Sequence, residues 1–414
     1  MMLIAGWLLL LLGVLWAVMG LAASFRGRGR GFLLLYWDSV ALVGTELTFP
    51  LVALMAVSTS VLLLLGAAST SVGRAGLWLS AAAALMMAIT FLRAFGDRRV
   101  MQRALDDGLG DAGQYRIPPE RAAWIDRATD WRRLLRPINY DTYGITTRRD
   151  LAYGPHGRFN TLDVLAPAER GTAPLPVLLH LHGGGLMIGE KNNEALPLLL
   201  HIARAGWIVV TINYRLAPTS KYPAQLEDTK RAIAWIREHA KELGADASFI
   251  AATGGSAGAT LAALAALTAN DQRYQPGFEA ADTSVQAAVP FYGSYDLVSA
   301  GALPHLEAHV FPRSRAEDPQ LWRDASASCL VRRDAPPFLI FHGSHDALAP
   351  VEDARAFAAA LRAASAAPAI YAEQSGAKHG FDGQYSLRAE AAVAATHRFL
   401  ESVYAKSRAS VAAA

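Results

Sequence analysis

The stretch ATGGSAGAT, residues Ala252–Thr260, places one serine among three glycines. It follows the apolar run SFIAAT and precedes the run LAALAAL, so it joins a predicted buried strand to a predicted helix. A Gly-x-Ser-x-Gly pattern alone is a weak signal, because a glycine-rich helix start without any chemistry has the same letters. The interpretation of Ser256 therefore depends on the surrounding sequence.

Short apolar runs alternate with helical patterns from about residue 143 to residue 405. The runs predict eight strands: ITTRRDLAYG, FNTLDVLAP, PVLLHLH, WIVVTINY, SFIAAT, VQAAVPFYG, PFLIFHG and AIYAEQ. Between them, AQLEDTKRAIAWIREHAKELG has a helical apolar face and ends at Gly244. This alternation predicts an α/β domain over residues 143–405, with a mostly parallel sheet covered by helices on both faces, and a flexible tail over residues 406–414.

Three uncharged stretches near the N-terminus are candidates for membrane spans. They are Leu3–Phe25, Leu47–Ser69 and Ala75–Leu92. The shorter run Phe32–Val43 carries Asp38, so it predicts an interfacial or re-entrant segment. The first stretch could also be a cleaved signal peptide, but it has no basic leader, and three arginines follow it instead. We therefore predict a transmembrane helical region over residues 1–92 that begins with an uncleaved anchor.

The arginines around these stretches predict an orientation. Clusters follow the first and third stretches, whereas only Arg74 separates the second from the third. The clusters are Arg26, Arg28 and Arg30, then Arg93, Arg98, Arg99 and Arg103. The positive-inside rule then puts everything after Leu92 in the cytoplasm and the N-terminus outside. The sequence predicts a multi-pass membrane protein whose C-terminal part is cytoplasmic.

Residues 93–142 predict an amphipathic connector. The segment is rich in arginine and contains Trp124 and Trp131 within IPPERAAWIDRATDWRRLLRP. Such a segment can lie on a membrane surface, or it can be an ordinary helix packed on the next domain. The sequence leaves these two interpretations open.

Length and composition exclude several classes of protein. The chain has 414 residues, of which 52% are hydrophobic, and the excess lies at the N-terminus. Its net charge of +3 comes without a basic stripe, so nucleic acid is not an expected partner. A single cysteine, Cys329, excludes an intrachain disulfide and leaves the redox compartment open. None of these properties predicts an oligomeric state.

Ser256 lies where a sharp strand-to-helix turn would hold it in a strained backbone conformation. Gly254 and Gly258, two residues before and after it, leave room for the neighbouring strand and helix. Such a turn exposes the hydroxyl at a helix N-terminus, whose positive potential favours developing negative charge. The pattern predicts a nucleophile, with a purely structural turn as the alternative.

The segment HLHGGGLMIG ends the predicted strand PVLLHLH with His182, Gly183, Gly184 and Gly185. Three consecutive glycines are costly in conformational entropy, and they make sense where backbone N–H groups turn toward a ligand, as in an oxyanion hole. A flexible loop is the alternative. His180 and His182 share a strand face, but no further Asp or His cluster accompanies them. We predict an oxyanion loop without a metal or cofactor.

A serine nucleophile needs a base, and the base needs an orienting carboxylate. Asp346 in FHGSHDALAP and His379 in GAKHGFDG each follow a predicted strand. The order Ser256, Asp346, His379 is the order expected for this type of sheet. Asp296 is a rival for the acid and His345 for the base, although His345 is adjacent to Asp346 and would point in a different direction.

Residues from about 143 to 405 resemble the α/β-hydrolase fold, and in particular the hormone-sensitive-lipase-like esterases. The matching motifs, in this order, are HGGG, NYRLAP, YPAQLED, GGSAG, HGSHDALAP and KHGF. The resemblance implies Ser256 as nucleophile, His379 as base and Asp346 as its partner. It also implies oxyanion donors at the N–H groups of Gly184, Gly185 and Ala257. It does not cover residues 1–140.

The chain departs from the family pattern at three positions. Gly255 stands where the family usually has Asp, Ala259 where it has a further Gly, and Thr219 where it has Glu. None of these removes a reacting group. The expected function is a membrane-anchored serine carboxylesterase or lipase, with lipid-like esters suggested by its location and the segment between Asp296 and Asp334 covering the site. The alternatives are an amidase or acyltransferase using the same triad, or a non-catalytic ligand-binding protein on this fold.

Overall fold

A computed structural model of the chain describes residues 1–28, 31–110, 117, 119–122, 124–125, 130–299 and 305–413. The helices are α1 Met2–Ser24, α2 Phe32–Glu46, α3 Thr48–Leu64, α4 Ser71–Leu109, α5 Pro119–Ala122, α6 Trp131–Leu135, α7 Leu196–Arg204, α8 Ala224–Glu238, α9 Ala240–Leu243, α10 Ala257–Leu267, α11 Pro319–Asp324, α12 Val351–Ala364 and α13 Leu387–Ala413. The strands are β1 Ile145–Ala152, β2 Thr161–Pro167, β3 Leu175–Leu181, β4 Ile208–Ile212, β5 Ala245–Gly255, β6 Ala287–Phe291, β7 Phe338–Gly343 and β8 Ala369–Gln374.

The eight strands form one sheet in the order β1-β2-β4-β3-β5-β6-β7-β8. The pairs β1–β2 and β2–β4 are antiparallel, and every other neighbouring pair is parallel. Each strand overlaps one of the eight predicted runs, and the predicted fold class is confirmed. Because parallel strands end at the same edge, the loops after β3, β5, β7 and β8 meet there.

Two apolar layers cover the sheet. One face packs against α8, α10 and α12, with Leu226, Leu264 and Phe357 buried in the shared core. The other face packs against α7, α13 and the last part of α4, with Leu199, Phe399 and Leu105 buried. Helix α10 lacks a polar face because nearly all of its residues are buried, which explains the run LAALAAL after the serine.

The N-terminal region is a bundle of α1, α3 and α4. Helices α1 and α4 run parallel, since Gly6 lies beside Thr70 and Gly20 beside Ala83. Helix α3 runs the other way, because Leu62 near its end packs by the start of α1, whereas Met55 in its middle packs by the second half of α1. Small residues allow the close approach: a side chain at Gly13 would collide with the backbone of Gly76.

Two helices are by themselves long and apolar enough to cross a membrane, α1 and α4. Helix α3 has 17 residues and qualifies only together with α2, from which it is bent by 85°. The described residues thus contain two candidate spans, or three when the bent pair counts as one. The three predicted stretches lie mainly in α1, α3 and α4, and the predicted interfacial run Phe32–Val43 lies in α2.

Helix α4 joins the bundle to the α/β domain as one continuous helix of 39 residues. Its second half buries Met101, Leu105 and Leu109 in the core of the domain. The predicted boundary after residue 92 therefore falls within a helix. The N-terminal bundle and the α/β domain are therefore joined by a continuous helix and not by a flexible linker.

A buried ionic cluster ties the two regions together. The Arg388 guanidinium on α13 contacts Glu46 of α2 at 3.2 Å and Asp97 of α4 at 3.1 Å, and all three side chains are almost fully buried. Removing one partner of such a buried pair costs about 3–5 kcal/mol, because it leaves a charge without compensation. The cluster fixes the end of α2 against the domain.

The described part of the predicted connector contacts both the α/β domain and α4. Trp124 lies edge-on to His201 of the α/β domain, with ring centroids 6.2 Å apart. Trp131 of α6 lies beside Phe95 of α4 at 6.2 Å and is 49% exposed. Much of residues 111–129 lies outside the described residues. At the C-terminus, α13 continues through the predicted flexible tail as far as Ala413.

Candidate active site

The serine turn has the backbone that the sequence predicts. Ser256 follows β5 and precedes α10 with φ 54° and ψ −120°, a conformation that non-glycine residues rarely adopt. Its N–H donates to the Phe291 carbonyl at 2.9 Å, which fixes the turn. Side chains at Gly254 or Gly258 would collide with the Leu181 carbonyl oxygen. The two glycines thus allow the turn to lie against the end of β3.

The HGGG loop lies directly beside this turn. A side chain built at Gly183 would come within 3.2 Å of Ser256 Cβ. Gly184 and Gly185 have φ of 99° and 63°, and Ala257 is the first residue of α10. Among the described residues, the N–H groups of Gly184, Gly185 and Ala257 take part in no hydrogen bond. Free N–H groups next to a nucleophile can stabilise an oxyanion.

His182 supports the loop by packing. Its ring stacks on Tyr214 with centroids 4.2 Å apart, and Tyr214 Oη donates to the His182 carbonyl at 2.7 Å. Burial lowers the pKa of His182 to about 4, so the ring is neutral. It fills space beneath the glycines and does not supply charge to the site.

Asp346 and His379 meet in a direct contact. His379 Nδ1 lies 2.8 Å from Asp346 Oδ2. The other carboxylate oxygen accepts hydrogen bonds from the N–H groups of Leu348 and Ala349, both at 2.8 Å. His342 Nε2 lies 3.3 Å from Asp346 Oδ2. The fully buried carboxylate is therefore held in one orientation, facing the histidine.

This contact controls the charge of both groups. Burial alone would raise the pKa of Asp346, but His379 and His342 hold it well below its usual range. Burial alone would lower the pKa of His379, but Asp346 raises it above its ordinary value. The carboxylate stays ionised near neutral pH and favours the protonated imidazole. A base oriented in this way can take a proton from a serine.

The two rival residues lie elsewhere. Asp296 accepts hydrogen bonds from the N–H groups of Val298 and Ser299, both at 2.9 Å, and its described contacts include no histidine. His345 is adjacent to Asp346, but its Nδ1 has no hydrogen-bond partner among the described residues. The geometry favours Asp346 and His379 over both rivals.

The sequence analysis missed Glu194. Its Oε2 accepts a hydrogen bond from the Gly183 N–H at 2.6 Å, so it fixes the start of the glycine loop. Burial raises the pKa of this carboxyl. Glu194 belongs to none of the motifs, and no sequence signal pointed to it.

Tyr292 and Asp382 also escaped the sequence analysis. The Tyr292 ring lies 4.7 Å from the His379 ring, and its hydroxyl donates to Asp382. A side chain at Gly255 would come within 2.7 Å of the same hydroxyl. The space beside Gly255, where the family pattern has an Asp side chain, is therefore occupied by the Tyr292 hydroxyl. The location of Asp382 three residues after His379 was the available signal.

Part of the predicted cover lies over the glycine loop. His305 Nε2 is 3.6 Å from a side chain built at Gly185, and a π-helical turn Leu306–Val310 follows. The predicted cover also includes residues 300–304, which lie outside the described residues.

In the described part of the chain, no three His, Cys, Asp or Glu side chains come close enough together to hold a metal ion. His180, the other strand histidine, is fully buried, and burial lowers its pKa to about 3.

Comparison with known proteins supports an ester hydrolase. The sequence model of the BD-FAE family matches residues 162–361. The chain is 40% identical over 402 residues to the probable carboxylic ester hydrolase LipM of Mycobacterium tuberculosis. This alignment covers 93% of this chain and 91% of LipM. The unmatched 7% of this chain is shorter than the segment 1–92, so the alignment with LipM extends into the N-terminal region. Esterase LipQ of the same organism is 45% identical over 62% of each chain.

Among solved structures, the chain is similar to the thermophilic esterase Est2 of Thermogutta terrifontis with butyrate bound. The identity is 25% and the TM-score is 0.52. The match covers 63% of this chain and 94% of Est2. The likeness therefore concerns the α/β domain and not the whole chain.

Proposed function

The chain belongs to the hormone-sensitive-lipase-like esterases of the α/β-hydrolase fold and is a carboxylic ester hydrolase, and we propose that it cleaves lipid-like esters at a membrane through an acyl-enzyme on Ser256. The observation that carries this mechanism is the 2.8 Å contact of His379 with the buried Asp346. It lies at the same sheet edge as the strained Ser256 turn and the free N–H groups of the glycine loop.

The reaction follows from these positions. Ser256 Oγ attacks the ester carbonyl while His379 Nε2 takes its proton. The carbonyl oxygen becomes negative and receives hydrogen bonds from the N–H groups of Gly184, Gly185 and Ala257. The C–O bond to the alcohol then breaks as His379 returns the proton to the leaving alcohol. Water, deprotonated by His379, attacks the acyl-enzyme and releases the carboxylic acid and free Ser256.

Hydrolysis of graded esters tests this function. We expect the purified full-length chain in detergent to hydrolyse p-nitrophenyl esters, with activity extending to long acyl chains because the substrate is lipid-like. Both products, p-nitrophenol and the free acid, should appear in equal amounts. Activity on short esters alone would contradict the lipid-like substrate. Release of the acid from an amide but not from an ester would contradict the esterase assignment.

Three observations support a membrane anchor. Helices α1 and α4 are long and apolar enough to span a bilayer, and many of their large apolar side chains are exposed. Their parallel course puts Phe25 and Leu92 at the same end of the bundle, next to the α/β domain. A third crossing by α3 is the return that this arrangement requires. The arginines after α1 and within the second half of α4 lie at the domain end.

We expect the chain to remain in the membrane fraction after high-salt and carbonate washing, with the α/β domain in the cytoplasm. The arginines at the domain end give the direction through the positive-inside rule; Arg30 is among those predicted, but it lies outside the described residues. Alkaline phosphatase fused after residue 110 should be inactive, because that enzyme works only outside the cytoplasm. An active fusion would place the domain outside, and release by carbonate would exclude the anchor.

A further inference from the structure

The segment that joins the first candidate span to α2 touches the loops of the predicted acid and base. Lys378, next to His379, donates from Nζ to the Phe25 carbonyl at 2.6 Å. A side chain built at Gly27 would contact Ala347, next to Asp346, at 3.4 Å. These contacts put the segment after α1 against the two loops that carry Asp346 and His379.

Helix α2 itself continues this contact. A side chain built at Gly380 would lie 3.7 Å from Leu42 Cδ2, so α2 packs on the residue that follows His379. At its end, Glu46 accepts a hydrogen bond from Ser386 at 2.7 Å and pairs with Arg388. The helix is thus fixed to the histidine loop along its second half.

Helix α2 has two different faces. Asp38, Ala41 and Thr45 are buried on one side of the helix. The opposite face exposes the apolar side chains Leu33, Tyr36 and Val43. Because α2 is bent by 85° from α3, it lies along the membrane surface when α3 crosses the bilayer. The apolar face then contacts lipid while the other face contacts the active site.

Asp38 adds a polar group on the inner side. It is only 4% exposed, and the groups that act on it electrostatically are Asp346, His379 and Lys378. Within the described chain, its Oδ1 has no hydrogen-bond partner. A buried carboxylate oxygen without a donor needs a ligand or water to satisfy it. The inner side of α2 therefore leaves an acceptor open close to the histidine.

From these contacts we propose that α2 is a wall of the active site and that the ester enters sideways from the bilayer leaflet that α2 contacts. The substrate class is an amphiphilic ester whose acyl chain stays along α2 while its carbonyl reaches Ser256. A substrate of this kind never has to leave the membrane to react. This inference rests on the proposed function, because it concerns the same nucleophile.

A photoreactive inhibitor tests the position of the acyl chain. The probe is a fluorophosphonate with a long alkyl chain that ends in a diazirine, added to the full-length chain in phospholipid nanodiscs. Its phosphorus should bond to Ser256 with loss of fluoride, and irradiation should then attach the chain end to a peptide from residues 32–46. Attachment only to residues 305–331 would overturn the lateral entry while leaving the esterase intact. No reaction at Ser256 would overturn the proposed function itself.

Two adjacent residues of α2 give a matched kinetic comparison. Leu42 faces the histidine loop, whereas Val43 faces outward and is 38% exposed. We expect Leu42→Ala to change the ratio of kcat/KM for a long-chain ester in the bilayer to kcat/KM for a soluble short-chain ester severalfold. Val43→Ala should leave that ratio unchanged. Equal ratios in both variants and the wild type would contradict a wall formed by α2.

Discussion

Replacing Ser256 with alanine is expected to reduce kcat for ester hydrolysis on the order of a millionfold, because the change removes the hydroxyl on which we propose that the acyl-enzyme forms. The change removes one oxygen atom, and the strained turn is fixed by the backbone bond to Phe291 and by Gly254 and Gly258. The fold should therefore survive, which thermal unfolding of the purified variant can check. Turnover close to that of the wild type would make the turn purely structural.

The matched control is Ser248→Ala on the same strand. Ser248 lies at the other end of β5, where its hydroxyl donates to Asp246 at 2.5 Å, far along the strand from the turn. This variant should keep wild-type activity. A fluorophosphonate should label the wild type at Ser256 and at no other serine, as peptide mapping can establish. Labelling of the Ser256→Ala variant at another serine would move the nucleophile there.

Much of the α/β domain is predictable from local patterns. Buried strands have apolar runs bounded by turn residues, and each predicted run overlaps an observed strand because strands and helices alternate without long insertions. Ser256, Asp346 and His379 follow β5, β7 and β8, and these strands lie in the sheet in the same order as in the chain. The order of the three residues along the sheet edge is therefore their order in the sequence. Boundaries are less well predicted: β5 begins at Ala245, three residues before the apolar run SFIAAT.

The junction of the N-terminal bundle and the α/β domain is less predictable, because it depends on pairs of residues far apart in the sequence. Hydropathy falls after Leu92, and this fall predicts a boundary. Helix α4 nevertheless continues, because Met101 and Leu105 are buried in the core of the α/β domain. Arg388 looks like a surface residue until Glu46 and Asp97 are placed around it. Deleting residues 1–92 would cut α4 and remove Glu46, so it would not yield an intact soluble domain.

The same reason explains the missed site residues. Glu194 acts through the N–H of Gly183, eleven residues earlier, and Tyr292 reaches Asp382 from the strand beside the serine turn. Neither contact has a fixed spacing that a motif could encode. The glycine at position 255 was recognisable from the sequence as a departure from the family pattern. Its cause, the nearby Tyr292 hydroxyl, was recognisable only from the structure.

Asp346→Asn is expected to lower kcat on the order of a thousandfold to ten-thousandfold, whereas Asp296→Asn should lower it little. A carboxylate that holds the imidazole in the useful tautomer is worth about this much. Asp346 faces His379 at 2.8 Å, whereas the Asp296 carboxylate accepts hydrogen bonds from backbone N–H groups of its own loop. The reverse ranking of the two variants would transfer the acid role to Asp296.

The pH profile separates an electrostatic role of Asp346 from a merely structural one. Hydrolysis needs neutral His379, so activity is lost as the pH falls through the pKa of this residue. Asp346 raises that pKa in the wild type, while burial opposes it. Without the carboxylate the pKa falls, and the acid limb of kcat/KM in Asp346→Asn should move to lower pH. Asp296→Asn should keep the wild-type limb. An unmoved limb in Asp346→Asn, measured with a short soluble ester, would mean that Asp346 does not set the charge of the base.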